Sequence, residues 1–245
     1  MIFLRTVFLG LLLTFSAPAA FAEFGERTLV THPGFYHKQG PARAKGVIIW
    51  SPGSGSGQSH PKAKGGSMPH VLDWLYGKGW AVYYMQRTGS KAFSARPQHA
   101  NALKNAVAGL RAAGYRNIVL AGQSSGGTYS MIAAKENLGL HAMILTGSGP
   151  SSGPLSFDRA LRDALAGRFI VMHFAKDRTI GQRNRTKVEA ALASKGIPYM
   201  NIHEPGGIEG HSGSYLSTFS KRFGDCLLRF IEPGRRPSGS ECNGK

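Results

Sequence analysis

The sequence predicts an α/β fold, a single domain with a mostly parallel sheet and helices on both faces of that sheet. Apolar, strand-forming segments alternate with helix-forming segments along most of the chain, which is typical of parallel strands joined by helices. The strand segments are apolar almost throughout, so we expect both faces of the sheet to be covered. Glycine-rich and polar segments follow several strands, at the edge of the sheet where binding sites gather. The 245 residues, of which 42% are hydrophobic, suffice for one substantial core.

The predicted elements begin at residue 47, and residues 23–45 in front of them fit one or two short antiparallel edge strands. Strands are predicted at residues 47–50, 80–85, 117–121, 141–146, 168–174 and 199–203. Helices are predicted at residues 68–78, 97–113, 128–136, 157–166 and 182–194, with a further helical segment near the C-terminus.

The N-terminus has the pattern of a signal peptide, predicted at residues 1–22. Arg5 supplies positive charge, residues 7–15 form an apolar stretch, and a small-x-small cleavage sequence ends at Ala22. The stretch is too short for a stable membrane span, and an uncleaved signal anchor is the alternative. We therefore expect a periplasmic or secreted protein with a domain at residues 23–231 and a tail at residues 232–245.

The chain is strongly basic, with a formal net charge of +17 and a pI of about 10.3. Loss of the signal peptide removes Arg5 and no acidic residue, which leaves +16. Such a charge favours anionic surface polymers, such as acidic polysaccharide, as partners. The basic residues are scattered and no nucleic-acid-binding signature is present, so we expect no specific nucleic-acid partner. A generally cationic, soluble surface is the alternative.

The two cysteines, Cys226 and Cys242, lie near the C-terminus. In an exported chain an even cysteine count predicts a disulfide, which would tie the tail to the last helix. Two cysteines fall short of a structural zinc site, and no histidine pair has the spacing of a catalytic one, so we expect no metal. The glycine-rich segment 51–57 fits neither a P-loop nor a dinucleotide fingerprint, so we expect no cofactor.

The most informative motif is Gly122-Gln123-Ser124-Ser125-Gly126, which fits the pattern G-x-S-x-G. It follows the strand 117–121 and leads into the helix 128–136. A serine on such a tight strand-to-helix turn exposes its hydroxyl at the end of the sheet, and flanking glycines allow the sharp bend. Ser124 is therefore the candidate nucleophile, and a plain glycine/serine helix N-cap is the alternative.

Two further side chains follow later strands and complete a candidate catalytic set. Asp177 follows the strand 168–174, and His211 lies in the glycine-rich loop after the next strand. A serine hydroxyl needs an adjacent base, which His211 would supply, and Asp177 would hold the imidazole tautomer. Asp158 is the alternative acid and His203 the alternative base. A helix-capping carboxylate and a solvated loop histidine are the non-catalytic alternatives.

The chain order Ser124, Asp177, His211 is the order of nucleophile, acid and base in the α/β-hydrolase superfamily. With these residues and the G-x-S-x-G turn, the chain from about residue 46 to residue 231 resembles that superfamily. More loosely, it resembles the small secreted esterase and dienelactone-hydrolase-like members. The resemblance implies the α/β-hydrolase fold and a Ser-His-Asp triad, and it specifies no substrate.

Acyl transfer also needs an oxyanion hole, two N–H donors for the negative charge that develops on the carbonyl oxygen. One donor should be the N–H of Ser125, the residue after the nucleophile. The other should come from the glycine-rich loop after the first parallel strand, where position favours Ser54, with Gly53 or Gly55 as alternatives. Many members of the superfamily open this loop with His-Gly, and Pro52-Gly53 stands in its place here.

These features predict an exported serine hydrolase that cleaves carboxylic esters through an acyl-enzyme. The segment between the strand 141–146 and Asp177 is too short for a large helical lid, which favours an open cleft for a small-molecule or polymer-borne ester. A peptidase or amidase and a thioesterase of the same fold are the enzymatic alternatives. A non-catalytic cationic binding protein is the alternative from a different class.

Overall fold

A computed structural model describes residues 25–29, 32–38, 44–53, 69–85, 96–148, 157–174, 177, 185–204 and 210–235 of the chain. The described strands are β1 (Gly25–Leu29), β2 (His32–Lys38), β3 (Val47–Ser51), β4 (Ala81–Met85), β5 (Ile118–Gln123), β6 (Ala142–Thr146), β7 (Phe169–Phe174) and β8 (Tyr199–Glu204). The described α-helices are α1 (His70–Gly77), α2 (Arg96–Ala112), α3 (Ser125–Ala133), α4 (Phe157–Asp163), α5 (Arg185–Ala193) and α6 (Ser217–Ile231), and a short 3-10 turn at Gly213–Tyr215 precedes α6.

The strands form one eight-stranded sheet in the order β1-β2-β4-β3-β5-β6-β7-β8. All neighbours from β4 to β8 in this order pair in parallel. The pairs β1–β2 and β2–β4 are antiparallel. The predicted mostly parallel sheet is therefore confirmed. The antiparallel edge strands β1 and β2 lie within residues 23–45, where one or two such strands are predicted. Because β3 and β5 are neighbours, the loop after β3 and the turn after β5 meet at one edge of the sheet.

Helices cover both faces of the sheet, as the apolar strands predict. In β3, Val47 and Ile49 belong to the core that contains residues of α2 to α5, whereas Ile48 and Trp50 belong to the core that contains residues of α1 and α6. All four residues are at most 1% exposed. A strand that buries both faces has no polar face, which is why these strands are apolar throughout.

Some of the basic side chains are bound within the fold, at the amino-terminal edge of the parallel strands. Lys195 Nζ donates to the carbonyl oxygens of Arg162 at 2.9 Å and Ala164 at 2.6 Å, at the end of α4. Arg168 donates to the carbonyl oxygen of Phe230 at 2.6 Å, in the last turn of α6. Carbonyls at helix C-termini lack partners in their own helix and attract positive charge. Burial lowers the pKa of both Lys195 and Arg168. Part of the positive charge therefore stabilises the C-terminal ends of α4 and α6.

Several sequence predictions fall outside the described residues. The signal peptide, residues 1–22, is one of them, and Cys242 in the tail is another. Cys226 is buried in α6 and is not a free thiol, but its pairing with Cys242 stays a prediction. Of the helices that the structure describes, none is both long and apolar enough to cross a membrane.

Candidate active site

Ser124 is the single residue between the end of β5 and the start of α3. Its backbone has φ 54° and ψ −125°, a conformation that a residue with a Cβ rarely adopts. Among the described residues it is the only residue other than glycine with a positive φ. Such a conformation costs about 1–3 kcal/mol and persists where the surrounding structure imposes it, often at functional sites. The turn leaves Ser124 partly exposed although β5 is buried throughout and most of α3 is buried.

Glycines make this turn possible because the chain around it is tightly packed. A Cβ on Gly126 would lie 2.0 Å from the carbonyl oxygen of Ser51. A Cβ on Gly122 would lie 2.6 Å from the carbonyl carbon of Gly126. The start of α3 is therefore pressed against the end of β3. This contact places the N-terminus of α3 beside the loop from which the second oxyanion donor is expected.

We expect Gly126→Ala to lower the free energy of unfolding by about 3 kcal/mol, because the added methyl group would meet main-chain atoms that cannot turn aside. Urea unfolding would report the loss as a lower midpoint. Gly77→Ala is the control, since a Cβ on Gly77 meets nothing within 4 Å. That change should be neutral or should raise stability by up to about 1 kcal/mol. Equal midpoints for the two variants would show that the turn accepts a side chain.

Asp177 and His211 are joined by a hydrogen bond between segments 34 residues apart. His211 Nδ1 lies 2.8 Å from Asp177 Oδ2. The Asp177 side chain is 2% exposed, and the His211 side chain is 24% exposed. An ionised carboxylate only accepts hydrogen bonds, so Nδ1 is the donor and Nε2 of the neutral ring carries a lone pair. The imidazole therefore has its basic nitrogen available on the side away from Asp177, as a general base requires.

The residue before Ser124 contacts His211 directly. Gln123 is 1% exposed, and its Nε2 donates to the His211 carbonyl oxygen at 2.8 Å. Gln123 is not among the residues that the sequence predicts for the site. The one signal that could have marked it is a polar side chain at the end of an otherwise apolar strand.

Strand β6 links the serine turn to the Asp177–His211 pair. The Ser124 N–H donates to the Thr146 carbonyl oxygen at 3.1 Å. The next residue, Gly147, packs against the pair. A Cβ there would lie 3.4 Å from Asp177 Oδ2 and 3.6 Å from His211 Nδ1, and its φ of 50° favours glycine. The structure thus gathers the segments that carry the three predicted catalytic side chains at one edge of the sheet.

Buried hydroxyl groups connect the same segments. Thr146 Oγ1 donates to Ser214 Oγ at 3.2 Å, in the 3-10 turn after His211. Ser148 Oγ donates to the Thr146 carbonyl oxygen at 3.3 Å. None of the three hydroxyl residues exceeds 1% exposure. They could not be predicted from the sequence because serine and threonine are common in the surrounding glycine-rich loops.

The predicted oxyanion donors are placed in part. Ser125 is the first residue of α3, so its N–H lies at the positive end of that helix. Ser54 and its alternative Gly55 lie outside the described residues. The other alternative, Gly53, is buried in the loop after β3.

The alternative acid and base lie in regular elements. Asp158 belongs to α4, and His203 belongs to β8. The His203 ring stacks on that of His173, its register neighbour in β7, with 5.0 Å between ring centroids and 22° between planes. His211 is the histidine that is bonded to Asp177.

A cavity of about 470 Å³ lies at the opposite edge of the sheet from this site. It is lined by Leu140, Gly167 and Ile197, among others, which precede β6, β7 and β8.

Within the described ranges, no group of three or more His, Cys, Asp or Glu side chains could hold a metal ion.

The chain is similar to solved hydrolase structures. One is a candidate dienelactone hydrolase from Klebsiella pneumoniae subsp. pneumoniae, with a TM-score of 0.63 and 18% identity over 85% of this chain and 98% of the other. Another is an alpha/beta hydrolase from a Medee basin deep-sea metagenome library, with a TM-score of 0.61 and 15% identity over 86% and 97%. A puromycin-hydrolysing peptidase from Mycobacterium tuberculosis has a TM-score of 0.64 and 14% identity over 89% of this chain and 40% of its own. No protein-family profile and no curated protein sequence matches the chain.

At such low identities the likeness concerns the fold. The two hydrolases are matched over nearly their whole length, and the sheet order and the strained serine turn are observed independently in this chain. The chain has the α/β-hydrolase fold.

Proposed function

We propose that the protein is a serine hydrolase that cleaves carboxylic esters through an acyl-enzyme intermediate. The observation that carries the proposal is the hydrogen bond between buried Asp177 and His211 beside the strained Ser124 turn. Backbone strain and a buried carboxylate both cost stability, and here they coincide where a nucleophile, a base and an acid would act together.

Each of the three groups has a defined step. Ser124 attacks the ester carbonyl carbon while His211 Nε2 takes the hydroxyl proton. The N–H of Ser125, at the positive end of α3, donates to the oxyanion. The bond to the alcohol oxygen then breaks, and His211 gives that oxygen its proton. Water next attacks the acyl-enzyme, with its proton passing to His211 and then to Ser124, and the acid leaves.

Asp177 holds His211 with Nδ1–H toward the carboxylate and stabilises the imidazolium as it forms. Its own N–H donates to the Phe174 carbonyl oxygen at 3.0 Å, which fixes the acid at the end of β7. Because the Asp177 side chain is 2% exposed, its charge acts on the imidazolium with little screening by water.

An ester is the substrate class favoured among those that the same three groups can hydrolyse. Amidases, peptidases and thioesterases use the same sequence of steps, so the three groups alone do not distinguish these activities. The share of each similar structure that this chain matches helps to choose among them. The puromycin-hydrolysing peptidase is matched over 40% of its length, so its activity is weaker support than that of a structure matched throughout. The candidate dienelactone hydrolase is matched over 98% of its length, which favours a small ester.

We also propose that the protein is exported, that Cys226 pairs with Cys242, and that its cationic surface binds anionic polymers. The signal-peptide pattern of residues 1–22, the even cysteine count and the net charge of +17 support these proposals. A binding role without catalysis would use the charge alone and leave the strained serine turn unexplained.

Hydrolysis of p-nitrophenyl esters of increasing acyl length, alongside matched p-nitroanilides, tests the proposed activity. We expect turnover of esters that a fluorophosphonate abolishes, since this reagent reacts with an activated serine. Faster anilide than ester turnover would favour the peptidase alternative. Absence of both turnover and labelling would contradict catalysis, and salt-sensitive retention on an anionic polymer would then support the binding role.

A further inference from the structure

Gln123 lies between the two halves of the candidate site. It is the last residue of β5, it immediately precedes Ser124, and its side-chain amide reaches the His211 carbonyl oxygen at 2.8 Å. The bond joins residues 88 apart in sequence. One side chain therefore connects the segment of the nucleophile to the segment of the base.

The position of His211 depends on contacts of this kind because the residue lies in a turn, outside any helix or strand. Its main chain lacks the repeating hydrogen bonds of regular structure, so individual contacts must hold it. Gln123 fixes the His211 carbonyl oxygen from one direction. Gly147 crowds the same oxygen, since a Cβ on Gly147 would lie 3.2 Å from it. A shift of the His211 main chain would move the ring relative to Asp177.

The buried amide of Gln123 is hard to explain by stability alone. Its Oε1 has no hydrogen-bond partner among the described residues, although the side chain is 1% exposed. A buried polar atom without a partner destabilises the folded state. A methionine would fill a similar volume without that cost. What the amide contributes is the bond that its Nε2 donates.

We propose that Gln123 is a positioning residue that holds His211 in register with Ser124, an inference that rests on the function proposed above. The amide acts through His211 and does not touch the substrate. Removal of the bond loosens the His211 main chain and weakens the Nδ1–Asp177 bond. The population of the His211 tautomer that has a basic Nε2 then falls.

The test compares Gln123→Met with Asn117→Ala. Asn117 precedes β5 at its other end, and its Nδ2 also donates at 2.8 Å to a remote main-chain oxygen, that of Lys45. Both variants lose one amide-to-carbonyl bond, at opposite ends of β5. We expect Gln123→Met to lower kcat by about ten-fold or more with KM within about two-fold, because small misplacements of a catalytic group are costly. Asn117→Ala should leave both constants within about two-fold.

A second measurement reads the His211 tautomer without any substrate. Side-chain nitrogen spectra of histidine-labelled protein, assigned by loss of signals in His211→Gln, should show the Nδ1–H form in the parent. Gln123→Met should shift the population toward the Nε2–H form, because a looser Asp177 contact no longer holds the proton on Nδ1. Gln123→Leu, which has no donor at any pH, should do the same to the tautomer if the methionine variant fails to fold.

The outcomes separate this inference from the proposed activity. An unchanged tautomer and unchanged kcat in Gln123→Met would overturn the positioning role while ester hydrolysis stands. A tautomer shift in a protein without turnover would support the positioning role while the proposed activity fails. Equal losses of kcat in Gln123→Met and Asn117→Ala would also overturn it, since the effect would then be general destabilisation.

Discussion

Ser124→Ala is expected to lower kcat for p-nitrophenyl esters by about a thousand-fold or more, because the attacking oxygen is lost and the remaining groups act only with it. Alanine keeps the Cβ, so the backbone at φ 54° bears the same strain in the variant and the parent. Steady-state hydrolysis measures the loss, and fluorophosphonate labelling of the same sample should disappear.

Ser130→Ala is the matched control for this prediction. Ser130 lies in α3, is fully buried, and donates from Oγ to the Gly126 carbonyl oxygen at 3.0 Å. Its loss removes a serine hydroxyl from the helix that follows Ser124 without touching the proposed chemistry, so kcat should stay within about two-fold of the parent. A Ser124→Ala protein with the parent's activity would place the nucleophile elsewhere and remove the basis of the proposed mechanism.

The sheet could be predicted from the sequence because its strands bury both faces. The strand predicted at residues 47–50 is found at Val47–Ser51, and the one predicted at residues 199–203 is found at Tyr199–Glu204. Helix ends were less predictable. The helix predicted to begin at residue 128 begins at Ser125, because the strained turn at Ser124 needs a single residue between strand and helix.

The bond between Asp177 and His211 was predictable because chain order and strand ends define where each residue must lie. The contact from Gln123 to His211 was not predictable in the same way. It depends on which loops meet above the sheet and on how a side chain crosses between them, and no local pattern records either. The same holds for the Thr146–Ser214 hydroxyl contact. What cannot be predicted from the sequence here is the set of side chains that support the proposed catalytic groups.

Asp177→Asn is expected to lower kcat by about a thousand-fold with little change in KM, because the buried negative charge that stabilises the imidazolium is lost. Asparagine would offer Nδ1 either a neutral carbonyl oxygen or an NH₂ group, and the NH₂ group would fix the tautomer whose Nε2 cannot accept a proton. The substitution conserves shape, so thermal unfolding should show a native-like transition. Steady-state hydrolysis over a range of pH is the measurement.

Asp158→Asn completes the test, since Asp158 is the alternative acid predicted from the sequence and it lies in α4. We expect kcat of Asp158→Asn to stay within about two-fold of the parent, because the bond at 2.8 Å to His211 belongs to Asp177. The reverse order of effects would assign the acid to Asp158 and would require His211 to change partner. Equal and small effects would show that His211 works without a buried carboxylate, and the reason proposed here for burying Asp177 would be lost.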